Sequence, residues 1–436
     1  MTREDLIALA RRHAEAERNG DMAATLATLE PDPVYELEPV GRAFRGVDTA
    51  RRYYEHFFGT FRGLVESSER RAEWITEEGF GLENVIHLRL PDGTRERHAV
   101  IGILVFGKTA LAGERVWGSE RLLRLMMGPA FDASVPVGPR TERDVLAYFA
   151  TPGPLTDLGV HAARARDLPD ALPDLCRVVQ GLVMHPFLAH LYGVAPDAIR
   201  LDELEIRGVA AMLDRVQALD PRPLDEPRAP GRRFVGNCRH FAVLLCAFLR
   251  ARGLPARARC GFGAYFQPGR FEDHWVCEVW DEARGAWRLV DAQLDGPQRA
   301  AFRIGFDPLD VPRTEFLVAG DAWQRCRGGE DPERFGILDL RGLWFVRGNL
   351  VRDLAALARR ELLPWDGWGL MATRHDSDAA ELALLDRVAA LTQAEDDRHA
   401  ERLRLQDAEP GLRVPRLVVS FNLGGATVDL GPGVAN

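Results

Sequence analysis

Three residues in the second half of the chain carry side chains that can act together in covalent chemistry: Cys238, His274 and Asp291. They follow one another along the chain as a thiol, an imidazole and a carboxylate. A thiol becomes a nucleophile when an adjacent imidazole takes its proton, and a carboxylate can hold the imidazole in the required orientation. We therefore predict a catalytic triad in which Cys238 is the nucleophile, His274 the base and Asp291 the residue that orients the base.

Cys238 is predicted to lie at the amino terminus of a helix. Apolar residues at helical spacing over 241–249 form one stripe, and Gly253 ends the helix. Gly236 and Asn237 turn the chain just before it. The unpaired N–H groups and the positive end of the helix dipole favour a thiolate there, and the same N–H groups could bind an oxyanion. The alternative is an inert core cysteine, the commoner case beside an apolar helix.

The consecutive runs HWVCEVWD and GAWRLVDAQ predict two strands of a hairpin that carries the other two residues. If Asp281 pairs with Ala286, His274 lies opposite Gln293. Asp291 then takes the diagonal position on the same face of the sheet. A register shift of two residues would make His274 and Asp291 direct partners and would keep both on that face. The alternative is a strand-edge histidine with no special role.

This part of the chain resembles the transglutaminase-like core. The resemblance is carried by GNC before an apolar helix, then RARGLPARAR, then HWV, and finally WRLVD. It is close over about residues 230–295 and extends over about 140–370 as an elaborated domain with the papain-like cysteine protease fold. The resemblance implies the same roles for Cys238, His274 and Asp291, with a thioester formed at Cys238.

One residue departs from the pattern of that family. His240 lies two residues after Cys238, where an acidic residue is frequent in such proteins. It could compete with His274 as the base, but on a helix its direction differs from that of Cys238 by about 200°. We therefore favour His274. No upstream side chain is marked out for the oxyanion, for which only the backbone N–H of Cys238 is implied.

The first 130 residues predict a separate α+β domain, with helices before a meander of antiparallel strands. Such an order is typical of a curved sheet that wraps a helix. Helices are expected at 3–18, 21–29 and 47–60, and strands at 70–77, 83–90, 96–106 and 110–117.

The segments YELEPVGRAFRGVDTARRYYEHFF and GERVWGSERLLRLMMG are similar to the SnoaL-like branch of the NTF2-like fold. The resemblance covers about residues 1–130 and implies a cone of helices and curved sheet around a cavity. His98, Tyr35 and Glu114 could line that cavity. The alternative is that they are ordinary strand residues or surface charges.

Composition suggests the remaining boundaries. A stretch rich in Gly, Pro and small residues predicts a linker at 131–140. The transglutaminase-like domain would then span 141–370, and a helix and a strand would form a C-terminal extension at 371–436. Both domains belong to the α+β class.

The bulk composition excludes several classes of function. The chain has 436 residues and a net charge of −9, which argues against a general binder of nucleic acid or anionic membranes. The apolar stretch 176–195 is interrupted by charged and proline residues, and the amino terminus does not have the pattern of a signal peptide. Six cysteines without a CxxC pair indicate reduced thiols, and hence a cytoplasmic protein.

Other residues with chemical potential have plainer explanations. Cys246, Cys260 and Cys277 are expected to pack in the core. His185 and His190 are five residues apart, which does not place two ligands on one helix face, so we predict no metal and no other cofactor. The loop from Trp365 to Trp368 could form the aromatic rim of a cleft or simply pack on a domain surface.

The sequence thus predicts a cysteine acyltransferase or amide hydrolase that acts through a thioester at Cys238. Its substrate would be a peptide or small molecule with an amide or ester, without nucleic-acid or membrane partners. The alternative is a non-catalytic scaffold that binds ligands or partners through the NTF2-like cavity. A homo-oligomer formed through that domain is also conceivable.

Overall fold

The chain forms two compact units, residues 1–138 and 139–436. The computed structural model describes residues 2–136, 142–372, 374, 376–393, 398–431 and 433–434. The end of the linker expected at 131–140 lies outside these residues, whereas its first part belongs to a short helix and a short strand of the first unit. Mixed helices and sheets in both units confirm the α+β class.

The first unit places helices on a seven-stranded sheet. The helices are α1 (Arg3–Asn19), α2 (Met22–Leu26), α3 (Val47–Gly59), α4 (Glu120–Met127) and α5 (Pro129–Asp132). The strands are β1 (Leu29–Glu38), β2 (Arg42–Arg45), β3 (Val65–Ile75), β4 (Gly79–Arg89), β5 (Arg95–Phe106), β6 (Leu111–Trp117) and β7 (Val135–Pro136).

The sheet of the first unit has the order β3-β4-β5-β6-β1-β2-β7, and only β1 and β6 run parallel. The sequence Pro91-Asp92-Gly93 predicts a hairpin turn, and this turn joins β4 to β5, with Gly93 at a φ of 87°. Glycine suits this position because other residues rarely adopt positive φ. The core lies between sheet and helices, with Tyr35, Tyr54 and Leu123 fully buried.

The second unit is larger and contains the predicted triad. Its helices are α6 (Glu142–Phe149), α7 (Ala162–Ala165), α8 (Leu172–Leu182), α9 (Val209–Leu219), α10 (Cys238–Arg250), α11 (Gly296–Phe302), α12 (Ala319–Arg327), α13 (Leu343–Leu357), α14 (Ala379–Gln393) and α15 (His399–Ala408). Its strands are β8 (Val183–Met184), β9 (Phe234–Val235), β10 (Ala256–Gly263), β11 (Phe271–Asp281), β12 (Ala286–Val290), β13 (Phe316–Val318), β14 (Phe335–Ile337), β15 (Leu340–Arg341), β16 (Asp366–Gly367), β17 (Leu417–Ser420) and β18 (Ala426–Asp429).

The main sheet of this unit is built on the antiparallel pair β10 and β11, which helix α10 covers. Every residue of α10 is buried, which fits its nearly uninterrupted apolar sequence. Leu350 and Leu354 of α13 belong to a second core, which also contains Leu385 of α14 and Val418 of β17. The segment predicted as a C-terminal extension therefore shares a core with α13.

Helical patterns in the sequence predict helices at 141–150, 172–193, 201–217, 346–363 and 378–405, and several of the observed helices differ from these bounds. The helix expected at 172–193 ends at Leu182, because a short strand follows and Pro186 then opens a 3-10 turn. The helix expected at 201–217 is a 3-10 turn followed by α9. The helix expected at 378–405 is two helices, α14 and α15, and the segment 394–397 between them lies outside the described residues.

Candidate active site

Cys238 is the first residue of α10, and Asn237 is its N-cap. The residue is only 7% exposed, yet it lines a cavity of about 910 Å³ in the second unit. Because Cys238 is the first residue of the helix, its backbone N–H has no partner within the helix and lies at the positive end of the helix dipole. The position predicted from the sequence is the observed one.

His274 lies on β11 and lines the same cavity. Its Nε2 is 2.8 Å from Oδ2 of Asp291, which leaves Nδ1 as the ring nitrogen available to Cys238. Burial by itself lowers the pKa of His274, but the charge of Asp291, the hydrogen bond to it and the hydrogen bond to Cys238 outweigh burial and raise the pKa to about 10. The ring therefore keeps both protons at neutral pH.

The hairpin has the predicted register, with Asp281 opposite Ala286. The ladder ends where Cys277 pairs with Val290, so Asp291 stands one residue beyond the paired part of β12. The Asp291 side chain that contacts His274 is therefore held by its own hydrogen bonds rather than by strand pairing.

Three donors hold the Asp291 carboxylate. Besides His274, the hydroxyl of Tyr265 donates to Oδ2 at 2.7 Å, and the backbone N–H of Gln293 donates to Oδ1 at 3.0 Å. Burial, and then the charge of Asp291, raise the pKa of Tyr265 well above its usual value, so this hydroxyl stays protonated and remains a donor. Asp291 is thus fixed in place and kept as an acceptor for the imidazole.

His240, the competing base, is excluded by its contacts. Its Nε2 lies 3.1 Å from the carbonyl oxygen of Ile206, while Nδ1 accepts a hydrogen bond from the backbone N–H of Asn237 at 3.1 Å. Burial, followed by the charge of Arg239, lowers the pKa of His240 well below its usual value. The ring is neutral with both nitrogens occupied, and it is absent from the residues that line the cavity around Cys238.

Some site residues were not recognised in the sequence. His185 lines the cavity, and burial together with the neighbouring His274 lowers its pKa to about 3. Tyr265 lies just after β10 and meets Asp291 across the sheet. The only sequence signal for either was an aromatic or imidazole side chain next to a turn, which is too common to single them out.

Asp273 and Arg352 also line the cavity, and Asn349, which is not among the lining residues, links them into a polar patch. The amide of Asn349 donates to Asp273 at 2.8 Å and accepts from Arg352 at 3.2 Å. Burial raises the pKa of Asp273 and lowers that of Arg352. This patch joins α13 to the first residues of β11, beside His274.

Most of the remaining cavity wall is apolar and aromatic. Trp365 lines the cavity, whereas Trp368 is buried in the core, so one residue of the predicted aromatic pair reaches the cleft. Side chains that are unusually exposed for their type also line it: Phe187 at 60%, Leu338 at 67% and Phe421 at 48%. Such a wall suits a ligand with apolar groups.

The other predicted packing cysteines lie in the core. Cys246 and Cys277 are fully buried, and their sulfur atoms are 3.1 Å apart between α10 and β11. Cys260 is buried in the same cluster. Burial raises the pKa of Cys260 and of Cys277 well above the usual value, which makes them poor nucleophiles.

The first unit has a cavity of its own, of about 420 Å³. Glu114 lines it together with Glu17, and burial followed by the charge of Glu17 raises the pKa of Glu114 well above its usual value. Tyr35 is buried instead, with its hydroxyl 3.0 Å from that of Tyr54, and His98 pairs with a neighbouring glutamate. Of the three residues predicted to line this cavity, only Glu114 is among its lining residues in the described part of the chain.

Two further properties concern the described residues as a whole. They contain no group of three or more His, Cys, Asp or Glu side chains placed to hold a metal ion. Within the same residues, no helix combines the length and the apolar character needed to cross a membrane.

Comparison with known proteins gives one family match. Residues 221–292 match the family model of the transglutaminase-like superfamily. A curated relative, the protein-glutamine gamma-glutamyltransferase of Pseudomonas aeruginosa, is 25% identical over 186 residues, which covers 32% of this chain and 27% of the relative. The chain therefore spans only about a quarter of that relative's length.

Solved structures also resemble part of the chain. An NTF2-like protein of unknown function from Cytophaga hutchinsonii is 11% identical, with a TM-score of 0.23, and covers 26% of this chain and 98% of its own. An NTF2-like protein of unknown function from Burkholderia xenovorans is 17% identical, with a TM-score of 0.22, and covers 27% of this chain and 84% of its own.

The family match contains all three residues of the predicted triad, since Cys238, His274 and Asp291 lie between residues 221 and 292. The second unit of this chain therefore contains a transglutaminase-like domain.

Proposed function

We propose that the second unit is a cysteine acyltransferase or amide hydrolase in which Cys238 is the nucleophile, His274 the acid and base, and Asp291 the orienting group. One observation carries the proposal: His274, whose Nε2 lies 2.8 Å from Oδ2 of Asp291, lines the same large cavity as Cys238. A buried histidine in the core of a scaffold would need neither the carboxylate nor the cavity.

The chemistry follows from the protonation of His274. An imidazolium beside the sulfur stabilises a thiolate, whose sulfur attacks the carbonyl carbon of an amide or ester. The C–S bond forms, and the oxyanion is stabilised by the backbone N–H of Cys238. The C–N or C–O bond then breaks as His274 gives its proton to the leaving amine or alcohol, and a thioester remains on Cys238.

The second half of the reaction restores the enzyme. His274, now neutral, takes a proton from water or an acceptor amine as that molecule attacks the thioester carbonyl. The C–S bond breaks and the sulfur leaves as a thiolate beside the reformed imidazolium. Water gives a carboxylic acid and an amine gives a new amide, so hydrolysis and transfer use the same residues. The name of the Pseudomonas relative supports acyl transfer.

Trapping the thioester tests the proposal. The protein is incubated with a panel of peptide amides and esters that includes the activated ester p-nitrophenyl acetate, quenched in acid and analysed by intact mass and peptide mapping. We expect an acyl adduct on Cys238 that hydroxylamine removes, and none in Cys238→Ala. The matched control is Cys326→Ala, in which the adduct on Cys238 should persist. The proposal fails if no member of the panel acylates Cys238.

The cavity of the first unit supports a second candidate function, a binding or catalytic role for that unit. Glu114 and Glu17 both line the cavity, and burial, followed by the charge of Glu17, raises the pKa of Glu114 well above its usual value. The two candidates are separated by two variants. Turnover that survives in Cys238→Ala and is lost in Glu114→Gln would place the chemistry in the first unit.

A further inference from the structure

Gln293 lines the same cavity as Cys238 and His274, two residues after Asp291. Only 3% of the residue is exposed, and its backbone N–H donates to Asp291. The side-chain oxygen Oε1 nevertheless has no hydrogen-bond partner among the described residues. Buried acceptors are almost always satisfied in folded proteins, so an unsatisfied one in a residue that lines the cavity of Cys238 requires an explanation.

The orientation of this amide is set by a chain of donors. Burial raises the pKa of Tyr192, which keeps its hydroxyl proton, and that proton is donated to Asp295 at 2.7 Å. The Tyr192 oxygen therefore accepts from Nε2 of Gln298 at 2.9 Å. Oε1 of Gln298 is then left to accept from Nε2 of Gln293 at 3.1 Å. If the oxygen and nitrogen of the Gln293 amide exchanged places, two oxygen atoms would face each other at Gln298. The orientation of the amide is therefore fixed, and Oε1 of Gln293 stays without a donor.

One other cavity-lining residue of the described part has a buried polar atom without a partner. This is Trp365, whose Nε1–H is a donor and requires an acceptor, whereas Gln293 Oε1 is an acceptor and requires a donor. Gln293 Oε1 is thus an acceptor of fixed orientation in a residue that lines the cavity of Cys238 and His274, and a ligand with a hydrogen-bond donor can satisfy it.

We propose that Oε1 of Gln293 accepts a hydrogen bond from the nitrogen attached to the reacting carbonyl, and so makes the site selective for nitrogen over oxygen. The inference rests on the proposed function and names the residue that determines its specificity. An amide donor with an N–H can make this bond, whereas an ester oxygen has no hydrogen to offer.

The same hydrogen bond favours amines as acceptors of the acyl group. An attacking primary amine forms the C–N bond, gives one proton to His274 and keeps another N–H for Gln293, while the C–S bond breaks and the thiolate leaves. An alcohol gives its single proton to His274 and has none left. Loss of the Gln293 acceptor should therefore slow transfer to amines and leave transfer to alcohols nearly unchanged.

The test begins with Cys238 acylated by p-nitrophenyl acetate. The acetyl-enzyme is offered glycinamide or methanol at about pH 8.5, where α-amino groups are mostly unprotonated. The quantity measured is the ratio of N-acetylglycinamide to methyl acetate formed. We expect Gln293→Leu to lower this ratio about tenfold, the size of one lost hydrogen bond, with little change in methanolysis. Gln298→Leu, which frees the Gln293 amide to rotate, should lower the ratio by less.

The matched control is Gln180→Leu. Gln180 donates to the carbonyl oxygen of Ala292, next to Gln293, but does not line the cavity, so this variant should keep the wild-type ratio. An unchanged ratio in both Gln293→Leu and Gln298→Leu would overturn the inference, as would a wild-type enzyme that does not transfer acetyl to glycinamide at all. Failure of Cys238 to acylate would instead contradict the proposed function.

Discussion

The Nε2 atom of His274 lies 2.8 Å from Oδ2 of Asp291, although Asp291 stands one residue beyond the paired part of its strand. Strand pairing ends at Val290, and from there the chain turns so that Asp291 is fixed by donors from Tyr265 and Gln293. The distance between the imidazole and the carboxylate is therefore set by side-chain and turn hydrogen bonds, which makes it sensitive to single substitutions.

Removal of the Asp291 charge is expected to lower the pKa of His274 sharply. Burial alone lowers that pKa, and the carboxylate is the largest of the effects that raise it to about 10. In Asp291→Asn the ring should become neutral at pH 7, and acylation of Cys238 should fall by about a thousandfold or more because the base loses its partner. NMR titration of the His274 ring measures the pKa, and p-nitrophenolate release measures the rate. A His274 pKa that stays near 10 in this variant would contradict the assignment.

The cysteines should differ strongly in reactivity. At neutral pH iodoacetamide should modify Cys238 first, since it lines the cavity beside a charged His274. Cys326 should react slowly, because burial and then Glu330 and Asp331 raise its pKa to about 12. Peptide mapping at short times checks the order.

The pH dependence of this alkylation gives a sharper test. The pKa of His274 is raised to about 10, so its stabilising charge is present below that pH and is lost as the pH rises through it. The rate at Cys238 should therefore change near pH 10, and this change should vanish in His274→Ala. A pH profile that is the same in both proteins would contradict the proposal that His274 activates Cys238 as a nucleophile.

The pairing of the site residues follows from short-range sequence features. Alternating strand patterns and the turn at residues 282–285 were enough to predict the register with Asp281 opposite Ala286. In that register the chain brings His274 and Asp291 to one face of the sheet. The apolar stripe after Cys238 likewise predicted the start of α10, since helix periodicity is local.

What could not be predicted comes from contacts distant in sequence. His185 reaches the cavity through a 3-10 turn, where the expected long helix would have placed it differently. Arg352 and Trp365 come from segments more than a hundred residues after Cys238, and no local pattern indicates that they share its cavity. Such placements depend on tertiary packing, which periodicity and propensity do not encode.

Gly261 is expected to be essential for the strand arrangement around His274. It pairs with His274 on one side and with Val318 on the other, and a Cβ added there would lie 2.1 Å from the carbonyl oxygen of Leu317. Gly261→Ala should displace β13, lower the unfolding midpoint and reduce acylation of Cys238. Gly305→Ala is the control, because a Cβ there meets nothing within 4 Å. Equal unfolding midpoints for the two variants would show that the close approach of Leu317 to Gly261 does not exclude a side chain at residue 261.

A buried ionic cluster centred on Glu278 of β11 is expected to contribute strongly to the free energy of unfolding of the second unit. Glu278 accepts from Arg257 at 2.6 Å, from Arg259 at 2.9 Å and from Arg313 at 2.8 Å, and Arg259 also pairs with Asp353. Burial raises the pKa of Glu278, but these three guanidinium charges outweigh burial and hold it well below its usual value. Glu278→Gln removes the charge that compensates them and should destabilise this unit by about 3–5 kcal/mol.

The pH dependence of that contribution has a definite sign. Because the folded chain keeps Glu278 ionised at lower pH than the unfolded chain does, its stabilisation is complete above about pH 4.5 and is lost as the pH falls below it. Urea unfolding of the wild type and Glu278→Gln should therefore differ most at neutral pH and converge in acid. Glu282→Gln, an exposed residue in the turn after the same strand, should change stability by less than about 0.5 kcal/mol. A difference between wild type and Glu278→Gln that persists undiminished at acid pH would show that shape rather than charge accounts for the loss.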